Sequence, residues 1–280
     1  MKWKLLNEEK NHQIYTFQKE NIEYYFKVAT TEEIAKTLLA SEIAAWMGIK
    51  TQKFKATTIN EKQGLLSPNY NPNHKKEIKL VEVLAKFYEE IILENENDFQ
   101  DEYFIEKTQN LETIWWALEH YYQKHKNKSL IVKSLMSELV DFFMLQITIG
   151  DIDLHFENIS ILDGENPSLA NYFDYDKCYE ASYYSKEGGA FLLETYPHFQ
   201  GKKAEYTVQS FLSSSNEEVI NLLKKRIANI PPLEMIWEKI EKEQEFQIPK
   251  KLKEKYMQIQ NSYFLALQTM IEEHQHKITK

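Results

Sequence analysis

A short acidic segment near the middle of the chain carries the residue types that phosphate transfer needs. It spans residues 150–158 and contains Asp153 and, five residues later, Asn158. Phosphoryl transfer needs a carboxylate that orients the attacking hydroxyl, together with oxygen ligands that hold Mg²⁺ against the phosphates of ATP. An Asp and an Asn in one short loop can fill those two roles. The spacing alone is a weak signal, so its weight depends on the surrounding elements.

A hairpin predicted directly after this segment supplies a second candidate metal ligand. Residues 159–162 have a strand-like pattern, residues 163–167 contain the glycine and proline of a turn, and a second strand would end near Asp174. The hairpin would return Asp174 next to Asn158 and place two oxygen ligands around a hard cation. Asp176 is an alternative to Asp174, because both side chains share one face of an extended segment.

Two charged residues nearer the N-terminus are predicted to complete the site. Lys27 lies in an alternating segment, where it shares one face of a predicted strand with an aromatic and a small residue. Glu42 lies in the following predicted helix, with apolar residues on the same side. A strand Lys can reach the α- and β-phosphates of ATP, and a helix Glu can pair with that Lys. Taken singly, Lys27 is explained equally well as a solvated strand residue, and a single helix Glu such as Glu42 is more often an exposed charge.

The elements that would position these residues form an α+β pattern. Three short segments at the start predict an antiparallel meander, and a capping box at residues 30–33 begins one helix of about four turns. A further hairpin ends at the breaker cluster 68–73. Most of the remainder has the apolar spacing of helices, the first of them predicted at 77–95. We therefore predict a nucleotide-binding N-terminal lobe, 1–70, and a helical C-terminal lobe, 71–280, that carries the catalytic loop and the metal-binding hairpin.

Composition narrows the class of protein. The chain has 280 residues, 42% of them hydrophobic, which is enough for one large domain or for two lobes around a cleft. Its 34 basic and 43 acidic residues give a formal charge of -9, which disfavours direct binding to nucleic acid or to an anionic membrane. Cys178 is the single cysteine, so an intrachain disulfide and a multi-cysteine zinc site are excluded. We expect a cytoplasmic protein without a signal peptide, with a secreted effector as the alternative.

With these residues identified, the sequence from about residue 24 to residue 183 resembles the HipA-like serine/threonine kinases, including their short CtkA-type members. Residues 153–158 match the Asp-x-His-x-x-Asn core of the family's catalytic loop at every defined position. The family's strand Lys resembles Lys27, and its helix Glu resembles Glu42, which precedes a Gly-Ile pair as in the family. The hairpin Tyr-Asp of the family resembles Phe173-Asp174.

The resemblance implies a two-lobed protein-kinase-like fold and a role for each matched residue. Asp153 would be the catalytic carboxylate, Asn158 and Asp174 the Mg²⁺ ligands, and Lys27 the cation on the ATP phosphates. His155 would also be catalytic, donating to the transferred phosphate, or would instead make a structural hydrogen bond. The implied reaction transfers the γ-phosphate of ATP to Ser or Thr of a protein, with autophosphorylation. As in some relatives, an antitoxin-like protein is a possible partner.

The sequence departs from a typical kinase in one respect. The first 47 residues contain no glycine, so the phosphate loop predicted between the first two strands, residues 7–12, lacks the flexible backbone that cradles phosphates in many kinases. A pseudokinase that acts as a regulatory binding module is therefore the second hypothesis. The third is a metal-dependent phosphoester hydrolase built on Asp151, Asp153 and His155, whose side chains would share one face of a strand.

Overall fold

The computed structural model describes residues 4–9, 12–87, 111–151, 159–171, 175, 178–179, 211–213, 215–244 and 246–278. Within these ranges, an antiparallel sheet and one helix come first, and a mainly helical part with a small second sheet follows. The α+β class predicted from the sequence is confirmed.

The N-terminal sheet has the strand order β1-β2-β3-β5-β4, and every neighbouring pair is antiparallel. Its strands are β1 (Lys4–Glu9), β2 (His12–Lys19), β3 (Ile22–Val28), β4 (Lys55–Ile59) and β5 (Lys62–Pro68). The β2–β3 and β4–β5 turns each place two consecutive residues at positive φ, namely Glu20 with Asn21 and Asn60 with Glu61. Paired positive φ values are typical of tight hairpin turns whose twist matches that of the strands. The predicted meander and hairpin are both present.

Helix α1 (Thr31–Trp46) follows β3 and begins with the predicted capping box. The Thr30 hydroxyl accepts the backbone N–H of Glu33 at 3.2 Å, and the Glu33 carboxylate accepts the backbone N–H of Thr30 at 2.6 Å. These two bonds satisfy backbone donors that the first helical turn leaves open. Ile34 and Ile43 are fully buried in the main core, so α1 packs through its apolar side.

Helices and a small three-stranded sheet make up the rest of the described chain. The helices are α2 (Leu80–Phe87), α3 (Leu111–Tyr121), α4 (Lys128–Ile149), α5 (Glu217–Ala228), α6 (Leu233–Gln244) and α7 (Lys250–Ile278). The small sheet contains β6 (Glu77–Lys79), β7 (Ser160–Leu162) and β8 (Ser168–Leu169), in that order and antiparallel. Among the described helices, none is both long enough and apolar enough to cross a membrane.

The start of the helix predicted at 77–95 is wrong. Residues 77–79 form strand β6, and α2 begins at Leu80. Ile78 lies opposite Ile161 of β7, and both side chains are buried. Pairing with a segment far along the chain decides the conformation of such a short stretch, and local apolar spacing does not reveal that pairing.

Helix α4 delivers the chain to the predicted catalytic loop. Every side chain from Phe142 to Ile149 is buried, so this end of the helix is fixed on all sides. Gly150 then adopts the left-handed conformation with φ +60°, and its backbone N–H bonds to the carbonyl of Gln146. Glycine tolerates this conformation without a Cβ penalty, and it is the common way to end a helix.

Candidate functional site

Lys27 lies on the inner face of the N-terminal sheet. In the antiparallel register it stands opposite Leu65 of β5, and Leu65 in turn stands opposite Ala56 of β4. Opposed residues point to the same face of an antiparallel sheet. Leu65 and Ala56 both belong to the main hydrophobic core, as does Ala29, two residues after Lys27. The half-buried Lys27 therefore faces the body of the protein, on the face that the sequence alternation predicts.

Gly64 allows β5 to approach β3 closely at this position. A Cβ atom on Gly64 would overlap the carbonyl oxygen of Lys27 and would lie 2.9 Å from two ring atoms of Phe26. Gly64 is not among the residues that the sequence predicts for the site. Its signal was an isolated glycine within a strand pattern, which often marks close approach of another backbone. Gly64 thus helps to fix the strand that carries Lys27.

Glu42 has a different partner from the one expected. Its carboxylate accepts a hydrogen bond from the Lys239 Nζ of α6 at 2.6 Å, whereas the sequence interpretation paired it with Lys27. The hydrogen bond to Glu42 raises the pKa of Lys239 above its ordinary value. The pair joins α1 to α6, two helices that pack against each other. A role for Glu42 at the nucleotide site stays a prediction.

The remaining predicted site residues lie outside the described part of the chain: Asp153, His155, Asn158, Asp174 and Asp176. Among the described residues, no group of three or more His, Cys, Asp or Glu side chains could hold a metal ion. The residues that adjoin the predicted ligands in the sequence are described. They show how the hairpin is held.

The hairpin predicted after the catalytic loop is present as β7 and β8. Ile161 lies opposite Leu169, and the backbone N–H of Ala170 donates to the carbonyl of Ser160 at 2.8 Å. Helix α4 supports the second strand, because the Glu138 carboxylate accepts the backbone N–H of Leu169 at 2.9 Å. Burial raises the pKa of Glu138. The two strands that flank the predicted metal ligands are therefore tied both to each other and to α4.

Strand β6 links the connection between the two sheets to this hairpin through a polar cluster. The Glu77 carboxylate accepts hydrogen bonds from the Ser160 hydroxyl at 2.6 Å, from Lys79 at 2.9 Å and from the Tyr70 hydroxyl at 2.9 Å. Burial works to raise the pKa of Glu77, but these hydrogen bonds outweigh it and the pKa lies below its ordinary value. The cluster fixes β7 two residues after Asn158 in the sequence.

A cavity of about 470 Å³ opens where β2 and β3 meet this connection. Thr16, Gln18 and Glu23 line it from the sheet, and Asn69 and His74 line it from the connection. Thr16 and Glu23 project from the inner face, because Thr16 lies opposite Tyr25 in the register and Glu23 is an even number of residues from Lys27. Glu23 and Lys27 are four residues apart on one strand, or roughly 13 Å. The inner face therefore offers a cavity at one end and a cation at the other.

The connection between β1 and β2 is shorter than the phosphate loop expected at 7–12. β1 extends to Glu9, β2 starts at His12, and these two residues are partners in the register. Only residues 10–11, which are outside the described ranges, join the strands. Most of the expected loop is therefore strand. A connection of two residues provides few backbone N–H groups for phosphates, compared with a glycine-rich loop.

Asp151 is the one member of the hydrolase hypothesis that the structure describes. Its backbone N–H donates to the carbonyl of Gln146 at 3.1 Å, so it takes part in closing α4. Buried tyrosines lie near it: burial raises the pKa of Tyr175 and of Tyr263, and the charges of Cys178 and Asp151 add to both shifts. A contribution of Asp151 to metal binding stays a prediction.

The small antiparallel sheet with one helix, followed by a mainly helical part, is a kinase-like architecture. No protein-family model and no curated protein sequence matches the chain significantly. Among solved structures, the chain is similar to the Helicobacter pylori proinflammatory kinase CtkA, with a TM-score of 0.66 and 15% sequence identity. That match covers 98% of this chain and 95% of CtkA. The fold implied by the sequence resemblance is confirmed over nearly the whole chain.

A second similar structure is HipA of Shewanella oneidensis MR-1, which was solved with HipB and its operator DNA. The TM-score is 0.46 and the sequence identity 8%, over 95% of this chain and 65% of HipA.

Proposed function

We propose that this chain is an ATP- and Mg²⁺-dependent kinase that transfers the γ-phosphate to Ser or Thr of a protein, and that it also phosphorylates itself. The observation that carries the proposal is the kinase-like fold, which it shares with CtkA over 98% of its length. The similar structure is that of a proinflammatory kinase. The motif Asp153-x-His155-x-x-Asn158 follows α4 directly in the sequence, where this fold needs its catalytic loop.

Each candidate residue has a distinct role in the proposed reaction. Lys27 would hold the ATP phosphates from the inner face of the sheet, and Asp153 would accept the proton of the attacking hydroxyl. Asn158 and Asp174 would hold Mg²⁺ through side-chain oxygens, which are the ligands that this hard cation prefers. Bound Mg²⁺ would neutralise charge on the phosphates. Asp176 is the alternative to Asp174.

Incubation with Mg·ATP and a cell extract, followed by mass spectrometry, tests the proposal. We expect phosphate on Ser or Thr of the protein itself and of at least one extract protein. Lys27→Ala should lose this activity, while Lys19→Ala, on the neighbouring strand β2 and exposed, should keep it. Phosphate transfer by Lys27→Ala at the parental rate would contradict the assigned role. Phosphate transfer from ATP to lipids or small molecules, with none to protein, would show that the substrate is not a protein.

The two-residue connection between β1 and β2 supports a second candidate, a pseudokinase that works as a binding module. Such a module would keep the fold without cradling the phosphates of ATP. Thermal unfolding in the presence of ATP separates the candidates, because a ligand that binds the native state raises the melting temperature. Stabilisation by ATP that requires Mg²⁺, together with phosphate transfer, supports the kinase. Absence of both supports the pseudokinase.

The hydrolase hypothesis and the antitoxin-like partner stay predictions. Hydrolysis of a generic phosphodiester without ATP, lost in Asp151→Ala but kept in Lys27→Ala, would favour the hydrolase over the kinase. Co-expression with the proteins encoded beside this chain would test for a partner that inhibits phosphate transfer.

A further inference from the structure

We propose that Gln52 is a positioning residue that couples the exit of the N-terminal sheet to the segment that leads to Asp174. This inference rests on the proposed kinase function. Gln52 lies in the connection between α1 and β4 and is 3% exposed. Its Nε2 donates to the backbone carbonyl of Pro68, and its Oε1 accepts a hydrogen bond from the Asn171 Nδ2 at 3.4 Å. One buried amide therefore contacts both sides of the fold.

The first contact lies where the chain leaves the sheet. Pro68 is the last residue of β5 and the register partner of Tyr24. The next residue, Asn69, bonds to Glu23 twice: its backbone N–H donates to the Glu23 carbonyl at 2.7 Å, and its side chain donates to the Glu23 carboxylate at 2.6 Å. Asn69 and Glu23 line the cavity of about 470 Å³. The carbonyl that Gln52 holds thus adjoins a residue that lines this cavity.

The second contact lies beside the segment that leads to Asp174, the proposed metal ligand. Asn171 lies two residues after the end of β8 and three residues before Asp174 in the sequence. The two residues before Asn171 have their own supports, since the backbone N–H of Leu169 donates to Glu138 and that of Ala170 donates to the carbonyl of Ser160. These supports do not depend on the N-terminal sheet. Loss of Gln52 should therefore leave the hairpin folded while removing its polar link to that sheet.

A buried amide suits this role because it offers a donor and an acceptor at once. Glutamate would keep the acceptor for Asn171 but would oppose a second oxygen to the Pro68 carbonyl and bury a charge. Methionine keeps the approximate length and shape and offers neither bond. The positions of metal ligand and nucleotide relative to each other matter in phosphoryl transfer, where catalysis depends on positioning. The Gln52 amide links the N-terminal sheet, which carries Lys27, to the segment that leads to Asp174.

The chain offers a matched control in Gln244 of α6. Its Oε1 accepts the backbone N–H of Ala56 at 2.9 Å, and its Nε2 donates to the carbonyl of Phe54 at 3.3 Å. It therefore also links the N-terminal sheet to the helical part through two hydrogen bonds of its side-chain amide. It hydrogen-bonds to neither Pro68 nor Asn171. A general loss of stability would affect Gln52→Met and Gln244→Met alike.

The test measures the Mg²⁺ concentration that gives half-maximal phosphate transfer at saturating ATP, alongside the melting temperature. We expect Gln52→Met to raise that concentration about tenfold, which corresponds to about 1.4 kcal/mol, and Gln52→Glu to raise it at least as much. Gln244→Met should lower the melting temperature similarly and change the Mg²⁺ requirement less than twofold. Asn171→Leu should reproduce the effect of Gln52→Met, and the double variant should be no worse than either single variant.

The outcomes separate the inference from the function on which it rests. A parent protein that transfers phosphate, with an unchanged Mg²⁺ requirement in Gln52→Met, overturns the inference alone. Equal effects of Gln52→Met and Gln244→Met also overturn it, because both would then act through stability. A parent protein without any Mg·ATP-dependent transfer or binding overturns the proposed function and the inference together.

Discussion

A single added methyl group at Gly64 tests whether the strand that carries Lys27 depends on close approach of β5. The new Cβ would overlap the Lys27 carbonyl oxygen and would lie 2.9 Å from two ring atoms of Phe26. No change of side-chain rotamer relieves a contact with backbone, and Phe26 is 1% exposed and has little room to move. Overpacking of this kind costs about 1–3 kcal/mol. Since 1 kcal/mol shifts the melting temperature of a large domain by roughly 2–4 °C, we expect Gly64→Ala to unfold roughly 2–12 °C below the parent.

Thermal unfolding followed by circular dichroism measures this shift, and a titration with Mg·ATP measures whether Lys27 has moved. We expect the nucleotide affinity to fall as well, because the overlap involves the backbone of Lys27 itself. Ile227→Val in α5 is the control: it should cost about 0.5–1.5 kcal/mol of stability and leave nucleotide affinity unchanged. A Gly64→Ala protein with the melting temperature of the parent would refute the close approach of the two strands.

Two ion pairs on α1 give further predictions about stability and pH. The hydrogen bond to Glu42 raises the pKa of Lys239, so the pair should stabilise the protein below about pH 10 and lose its effect as the pH rises through the raised pKa. In urea unfolding at pH 7, Lys239→Met should lower the free energy of unfolding by about 0.5 kcal/mol. In strong alkali this difference from the parent should disappear. Hydrogen bonds from Lys255 and then Tyr256 lower the pKa of Glu32, so its contribution should be present above about pH 4.5 and lost as the pH falls through the lowered pKa. In urea unfolding, the free energy of unfolding of Glu32→Gln should therefore fall less steeply than that of the parent as the pH is lowered below about 4.5. An identical fall in both proteins would contradict the hydrogen bonds to Glu32.

Local chemistry predicted the N-terminal elements well. The Thr30 and Glu33 pair predicts the start of α1, because a capping box forms between residues three positions apart. The face of Lys27 follows from alternation, which depends only on strand geometry. The hairpin after the predicted catalytic loop follows from its turn residues. In each case the determining interactions lie within a few residues of one another.

Contacts between distant residues could not be predicted in this way. Glu42 pairs with Lys239 from 197 positions away, and a single sequence offers many cations at such distances. Strand β6 exists because it pairs with β7, and Gln52 acquires its contacts only once Pro68 and Asn171 have been brought together. These features depend on tertiary packing, which local pattern and propensity do not encode.

Phosphate incorporation from Mg·ATP into the protein and into extract proteins tests the central claim most directly. The comparison uses the parent, Asp153→Ala, Asp174→Ala and a control, Asp163→Ala. The control changes an aspartate in the turn between β7 and β8. We predict that the parent and Asp163→Ala incorporate phosphate on Ser or Thr, and that Asp153→Ala and Asp174→Ala lose this activity while they remain folded by circular dichroism. Equal incorporation by all four proteins would contradict the account.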